Sequence, residues 1–121
     1  MIKQLDRDFL LSYYKEMINE IGEIFQLFIE EMPADMNDIN VAFKSKNFKE
    51  AANLLHKIAP SFYNIGLPQL TKKAQAVEIL LNEDNFYQAQ ISLIEFEAEL
   101  NDYMPAILAE NERLASMGKA S

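Results

Sequence analysis

Apolar residues recur at three- and four-residue spacing through the first third of the chain, a pattern typical of helices. It predicts a short first helix from about residue 6 to 16 and a second helix whose stripe continues past Pro33. Because proline lacks an N–H and clashes with the preceding turn, we expect Pro33 to bend or split that second helix. The two stripes consist of Leu5, Phe9, Leu10, Tyr13, Met17, Ile21, Ile24, Phe25, Phe28, Met32, Met36, Ile39 and Phe43.

Capping and turn residues divide the rest of the chain into three further helices. Asn47 followed by Glu50 resembles a capping box and begins a third helix, which should end near Ile65. Gly66 then suits the first position after that helix, and Pro68 fits the first turn of a fourth. A turn at 82–85 precedes a last long helix, which Pro105 can kink near its end.

Short connections favour antiparallel packing of consecutive helices. We therefore predict an all-α fold, an antiparallel up-down four-helix bundle with a short extra N-terminal helix. Residues 1–121 should form a single domain with an ordered core from about 5 to 115.

Composition narrows the function further. The chain of 121 residues has no cysteine, one histidine and a formal charge of −8. The missing thiols exclude cysteine-based zinc sites, and a lone histidine leaves little for a metal cluster or a catalytic triad. No basic face indicates nucleic-acid binding, and no apolar run approaches the roughly 20 residues that cross a membrane. We expect a cytoplasmic protein, monomeric, without a cofactor of its own.

The single histidine, His56, lies in the third helix. At roughly 100° per residue, the apolar residues of that helix form one stripe around Ala51, whereas His56 falls roughly 140° away and should be exposed. Its neighbours on the wheel are Lys49, Ala52, Ala59 and Tyr63. An incidental surface histidine stays possible on this pattern alone, as does an approach by a partner over the two small alanines.

Pro60 interrupts the helix at the turn of the histidine. It cannot donate a hydrogen bond to the carbonyl of His56, four residues earlier, at a cost of about 3 kcal/mol. Pro60 falls on the outer side of the helix, where water can reach that carbonyl. The simplest interpretation is a tolerated kink.

Together these residues resemble the core motif of histidine-containing phosphotransfer (HPt) domains. The resemblance extends from about Phe9 to Met104, including the segment 28–33, which is similar to the family's second helix. The motif positions are His56, Ile58, Pro60, Ser61, Ile65, Gly66, Leu70 and Glu78.

The resemblance implies the function of a phosphorelay carrier rather than a turnover enzyme. His56 would accept a phosphoryl group from an aspartyl phosphate on a receiver domain of a response regulator or hybrid kinase, and would pass it to another receiver. The receiver would supply magnesium. Glu78 would accept the Nδ1–H of His56, and Gly66 would let the third and fourth helices approach. The surface for partner docking would include Ala52, Ala59, Pro60 and Tyr63.

One position departs from the family pattern. The family usually carries lysine three residues after the histidine, where this chain has Ala59. Lys57 and Lys49 are the candidates to compensate, and Lys72 or Lys73 could reach from the next helix. A pseudo-HPt adaptor that binds a receiver or kinase but transfers phosphate poorly is therefore an alternative, and a helical scaffold with an incidental histidine is a third.

Overall fold

The computed structural model of the protein describes residues 4–14 and 18–120, with side chains described for 4–10 and 20–116. Met17 and the side chain of Tyr13, both part of the first predicted stripe, lie outside these ranges. The described residues form helices only, and none of these helices is both long and apolar enough to cross a membrane. The helices are α1 (Arg7–Tyr14), α2 (Ile18–Lys44), α3 (Phe48–Asn64), α4 (Pro68–Asn82) and α5 (Phe86–Ala120).

Three prolines lie inside these helices without ending them. Pro33 is in α2, Pro60 in α3 and Pro105 in α5. The expectation that Pro33 could split its helix is therefore wrong. All three prolines are exposed, so water can reach the carbonyl that loses its partner. Burial of the opposite face stabilises each helix more than the lost bond costs.

The three connections after α2, α3 and α4 share one geometry. In each, a residue with positive φ follows the helix end: Lys46 at 57°, Gly66 at 84° and Asp84 at 59°. After α3, the N–H of Gly66 donates to the Tyr63 carbonyl at 3.1 Å, and the N–H of Leu67 donates to Phe62 at 2.8 Å. These paired bonds form a Schellman motif. The capping prediction at Gly66 is therefore confirmed.

The start of α3 also agrees with the sequence. The Asn47 side chain accepts a hydrogen bond from the Glu50 backbone N–H at 3.3 Å, as an N-cap residue does. Pro68 occupies the first turn of α4. In that position its missing N–H costs nothing, because the first N–H groups of a helix have no partner within it.

The helices pack in a closed ring. α3 contacts α2 and α4, and α5 contacts the same two helices, so that α3 and α5 occupy opposite corners. Phenylalanine rings fill the centre: Phe62 meets Phe28 and Phe96 edge to face, with centroids 5.6 and 5.3 Å apart. Such contacts add to the stabilisation that burial of the rings provides. The most extensive contact is between α3 and α4.

The short helix α1 lies against the connection between α3 and α4. Leu10 is buried beside Gly66, and the Phe9 ring meets the Tyr63 ring at 4.9 Å. At the other side, Arg7 donates to the buried carboxylate of Glu110 at 3.1 Å. Arg113 also binds Glu110, so this buried charge is paired.

We predict that Gly66→Ala destabilises the fold for two separable reasons. A Cβ at this positive φ costs about 1–2 kcal/mol, and it would lie 2.9 Å from Leu10 Cγ. Chemical denaturation of Gly66→Ala, Leu10→Ala and the double variant separates the two, because Leu10→Ala relieves only the clash. If the double variant lost as much unfolding free energy as the two single variants together, the predicted clash between the new Cβ and Leu10 would be contradicted.

A glycine at the corresponding position of the preceding connection should stabilise the fold. Lys46 has a side chain at the same left-handed position. Lys46→Gly should raise the free energy of unfolding by up to about 1 kcal/mol, less the entropy that glycine adds to the unfolded chain. Loss of stability in this variant would show that the Lys46 side chain contributes more than its backbone strain costs.

Candidate functional site

His56 lies halfway along α3, on its solvent side. Its side chain is 79% exposed, although Leu55 directly before it and Ala52 and Ala59 in the neighbouring turns are buried. The expectation of an exposed histidine agrees with this position. An imidazole in such a place can be reached by a second protein without any rearrangement of the core.

A carboxylate from the neighbouring helix contacts the imidazole. His56 Nδ1 lies 3.0 Å from Glu78 Oε2 and 3.3 Å from Oε1. A carboxylate can only accept, so Nδ1 carries the proton in this contact and Nε2 has the free lone pair of the neutral ring. The Glu78 side chain is only 19% exposed, which limits its freedom and orients the ring. The pair can therefore present Nε2 as a nucleophile.

The expected surface around His56 is partly wrong. Ala52 and Ala59 were expected on the exposed side, but only 6% and 2% of their surfaces are accessible. The helical wheel assigned α3 one buried stripe, whereas α3 packs on both α2 and α4 and so buries a wider face. The Ala59 carbonyl bonds to Thr71 of α4, and Ala52 lies two turns earlier on the same side of α3. We infer that both small side chains face α4 and allow the two helices to approach closely.

The other two residues of the expected docking surface are exposed. Pro60 follows His56 by one turn, and Tyr63, which is 39% exposed, follows by two. Both lie towards the end of α3 that α1 contacts through Phe9. The accessible surface beside the histidine thus runs along α3 from His56 towards α1.

The lysines proposed to compensate for Ala59 divide into two groups. Lys49, Lys57 and Lys72 are exposed, and they take no part in the ion pairs found among the described residues. Lys73 forms an ion pair with Glu99 of α5 instead, which holds its ammonium group on the side of α4 away from α3. Within the described ranges, no group of three His, Asp or Glu side chains could hold a metal ion.

Sequence reasoning missed one residue that fixes the site. Thr71 of α4 donates its hydroxyl to the carbonyl of Ala59 at 2.5 Å. This bond joins α3 to α4 one turn beyond His56 and locks their register. A threonine inside a helix usually bonds within its own helix, so the sequence offered no signal for a bond to the neighbour.

Comparison with known proteins agrees with this geometry. A family model described as Hpt domain matches residues 23–115, which include α3, α4 and the contact between His56 and Glu78. Neither the curated proteins nor the solved structures gave a match to the chain. Hpt domains are carriers in histidine phosphotransfer, not turnover enzymes, and they interact with receiver domains. Since the match covers well over half of its length, the chain belongs to the Hpt domain family of two-component signalling.

Proposed function

We propose that this protein is a phosphorelay intermediate whose phosphoacceptor is His56. It accepts a phosphoryl group from an aspartyl phosphate on one receiver domain and passes it to the aspartate of another. The observation that carries the proposal is the contact of 3.0 Å between Nδ1 of the exposed His56 and Glu78. It leaves the second ring nitrogen, Nε2, for an incoming phosphoryl group.

The proposed chemistry is a reversible transfer between nitrogen and oxygen. The Nε2 lone pair attacks the phosphorus in line, an N–P bond forms, and the bond from phosphorus to the aspartyl oxygen breaks. The aspartate leaves as a carboxylate, and the Nδ1 proton stays on the ring. The reverse sequence delivers the group to the next receiver. Magnesium would belong to the receiver, so this protein would need no metal of its own.

Glu78 would act by orientation and charge. As Nε2 forms its bond to phosphorus, the imidazole ring becomes positively charged. A carboxylate 3.0 Å from Nδ1 stabilises that charge and keeps the ring from rotating. The role is equivalent to that of the aspartate that orients the histidine of a catalytic triad.

The Glu78 carboxylate would also place a negative charge near the phosphoryl group, which is itself negatively charged. Where the family usually carries lysine, this chain has Ala59, which is buried. Lys49 and Lys57 are the exposed cations of α3 and could offset part of the charge by extending along the helix surface. This deficit supports the pseudo-HPt adaptor as the second candidate function.

The receiver would dock along α3 over Pro60 and Tyr63. Gly66 supports this surface indirectly, since its turn sets the approach of α4 and receives Leu10 of α1. We further propose an up-down arrangement for the four long helices, based on their ring of contacts and three-residue connections. A cytoplasmic location and a monomeric state belong to the same proposal.

The acceptor is tested by transfer from a radiolabelled phosphoreceiver. Wild-type protein should gain label that is labile to acid and stable to alkali, and His56→Gln should gain none. Asn53→Gln, an exposed substitution one turn away, is the matched control and should keep the label. Label that persists in His56→Gln would exclude this acceptor. Binding of the receiver without label in the wild type would support the adaptor instead.

The role of Glu78 is tested by the tautomer of the ring. Nitrogen NMR should show the proton of neutral His56 mainly on Nδ1 in the wild type and shifted towards Nε2 in Glu78→Ala. Removal of this orientation should also slow phosphotransfer by about tenfold or more. Glu78→Gln has an amide that can either accept from Nδ1–H or donate to Nδ1, so its tautomer should lie between those of the wild type and Glu78→Ala. An unchanged tautomer in Glu78→Ala would show that the carboxylate does not orient the ring.

The charge deficit is tested by adding a cation where the surface has room. Asn53 is exposed and precedes His56 by three residues, so the two side chains are neighbours on α3. Asn53→Lys should therefore speed phosphotransfer severalfold. Ala59→Lys should instead lower the free energy of unfolding, because Ala59 is buried and the site has no room for a longer side chain. No gain from Asn53→Lys would show that phosphate charge does not limit the rate.

A further inference from the structure

The outward face of α5 carries apolar side chains in a second row, separate from its buried one. Tyr87 and Ile94 are 79% and 63% exposed, Ala98 is exposed and Ile91 is half-buried. We call these four residues the outer row. Their spacing of four, three and four residues places them on one side of the helix. The buried row consists of Ala89, Leu93, Phe96, Leu100, Tyr103, Ile107 and Leu114.

Folding of this chain does not explain the outer row. A surface helix needs one apolar stripe, and the buried row of α5 already supplies it. The outer row instead has the alternating spacing with which one helix packs against another. It continues, after Asn101 and Pro105, to the exposed Leu108, so that the face spans about 31 Å of helix. Large apolar side chains exposed on one face of a helix, such as Tyr87 and Ile94, are typical of an interaction site.

A shallow groove extends the outer row towards α2. It has a volume of about 140 Å³ and opens beside Ile94. A groove of this size can receive a single side chain from a partner. Its walls are formed by Asn40, Phe43, Lys44, Gln90, Leu93 and Ile94.

On α5 itself, the charged residues beside the outer row are acidic. Glu95 and Glu97 flank it directly, and α5 contains no lysine or arginine before Arg113. Lys44 of α2 lies in the wall of the groove, so the acidic border of the outer row consists of Glu95 and Glu97 of α5. A partner with lysine or arginine beside its own apolar stripe would match this border.

The same charges argue against a second copy of this chain. Suppose that two copies packed their outer rows together in antiparallel fashion, with the centre of the contact midway between Ile94 and Ala98. Glu95 of each copy would then lie opposite Glu97 of the other. Like charges at the edges of a helix pair oppose association. The row therefore fits a partner of opposite charge better than it fits itself.

We propose that the outer row and its groove bind a basic amphipathic helix of a partner protein. The bound helix lays its apolar stripe along Tyr87, Ile91 and Ile94 and its basic residues beside Glu95 and Glu97. Because α5 and α3 occupy opposite corners of the ring, this partner leaves His56 accessible. The surface is independent of phosphotransfer and can tether the protein while α3 engages a receiver.

The test uses a labelled synthetic peptide of 21 residues with leucine at helix-packing positions and lysine at the flanking ones. Two further peptides have the same length: one carries glutamate in place of lysine, and one has the lysine peptide's composition in scrambled order. Fluorescence anisotropy should show binding of the ordered lysine peptide at least tenfold tighter than binding of either control. Equal binding of the ordered and scrambled lysine peptides would overturn the proposal, since charge alone would then explain it.

Variants of the protein locate the binding. Ile94→Lys should weaken binding of the lysine peptide at least tenfold, and Ile79→Lys, at a side chain of α4 that is 54% exposed, should not. Both variants change the net charge equally, and circular dichroism checks that both stay folded. Unchanged binding by Ile94→Lys would overturn the assignment to α5. Self-association of the wild type that Ile94→Lys abolishes would instead place a second copy on this face and overturn the proposed partner.

Discussion

The structure depends on the close contact between α3 and α4. Ala52 and Ala59 are buried beside the histidine, and the distance between packed helices falls as the side chains between them become smaller. At this short distance the Thr71 hydroxyl reaches the Ala59 carbonyl, and Glu78 reaches His56. The site is thus a product of helix packing, and the two alanines contribute by being small rather than by touching a partner.

The same contact explains the charge of the site. A lysine at position 59 would have to extend out of the packed contact between the helices, so the residue that brings Glu78 close also removes the family's cation. If His56 accepts a phosphoryl group as proposed, this packing orients the ring but leaves the phosphoryl charge without the family's lysine. Which effect dominates decides between an efficient carrier and an adaptor.

Helix count, most helix ends and the exposed position of His56 could be predicted from the sequence, because they depend on local periodicity and capping. The burial of Ala52 and Ala59 could not, since a helical wheel does not show how many neighbours a helix has. The continuity of α2 through Pro33 also depends on packing that local propensity does not contain. The outer row escaped notice because the buried row of α5 already explained its periodicity.

The central claim is that Glu78 holds Nδ1 of His56 and leaves Nε2 to carry the phosphoryl group. The most direct test is the position of phosphorus on the ring, read from phosphorus–nitrogen and proton–nitrogen NMR correlations of protein phosphorylated by a receiver. The account predicts a phosphohistidine bonded through Nε2, with the proton still on Nδ1. A phosphoryl group bonded to Nδ1 would contradict it.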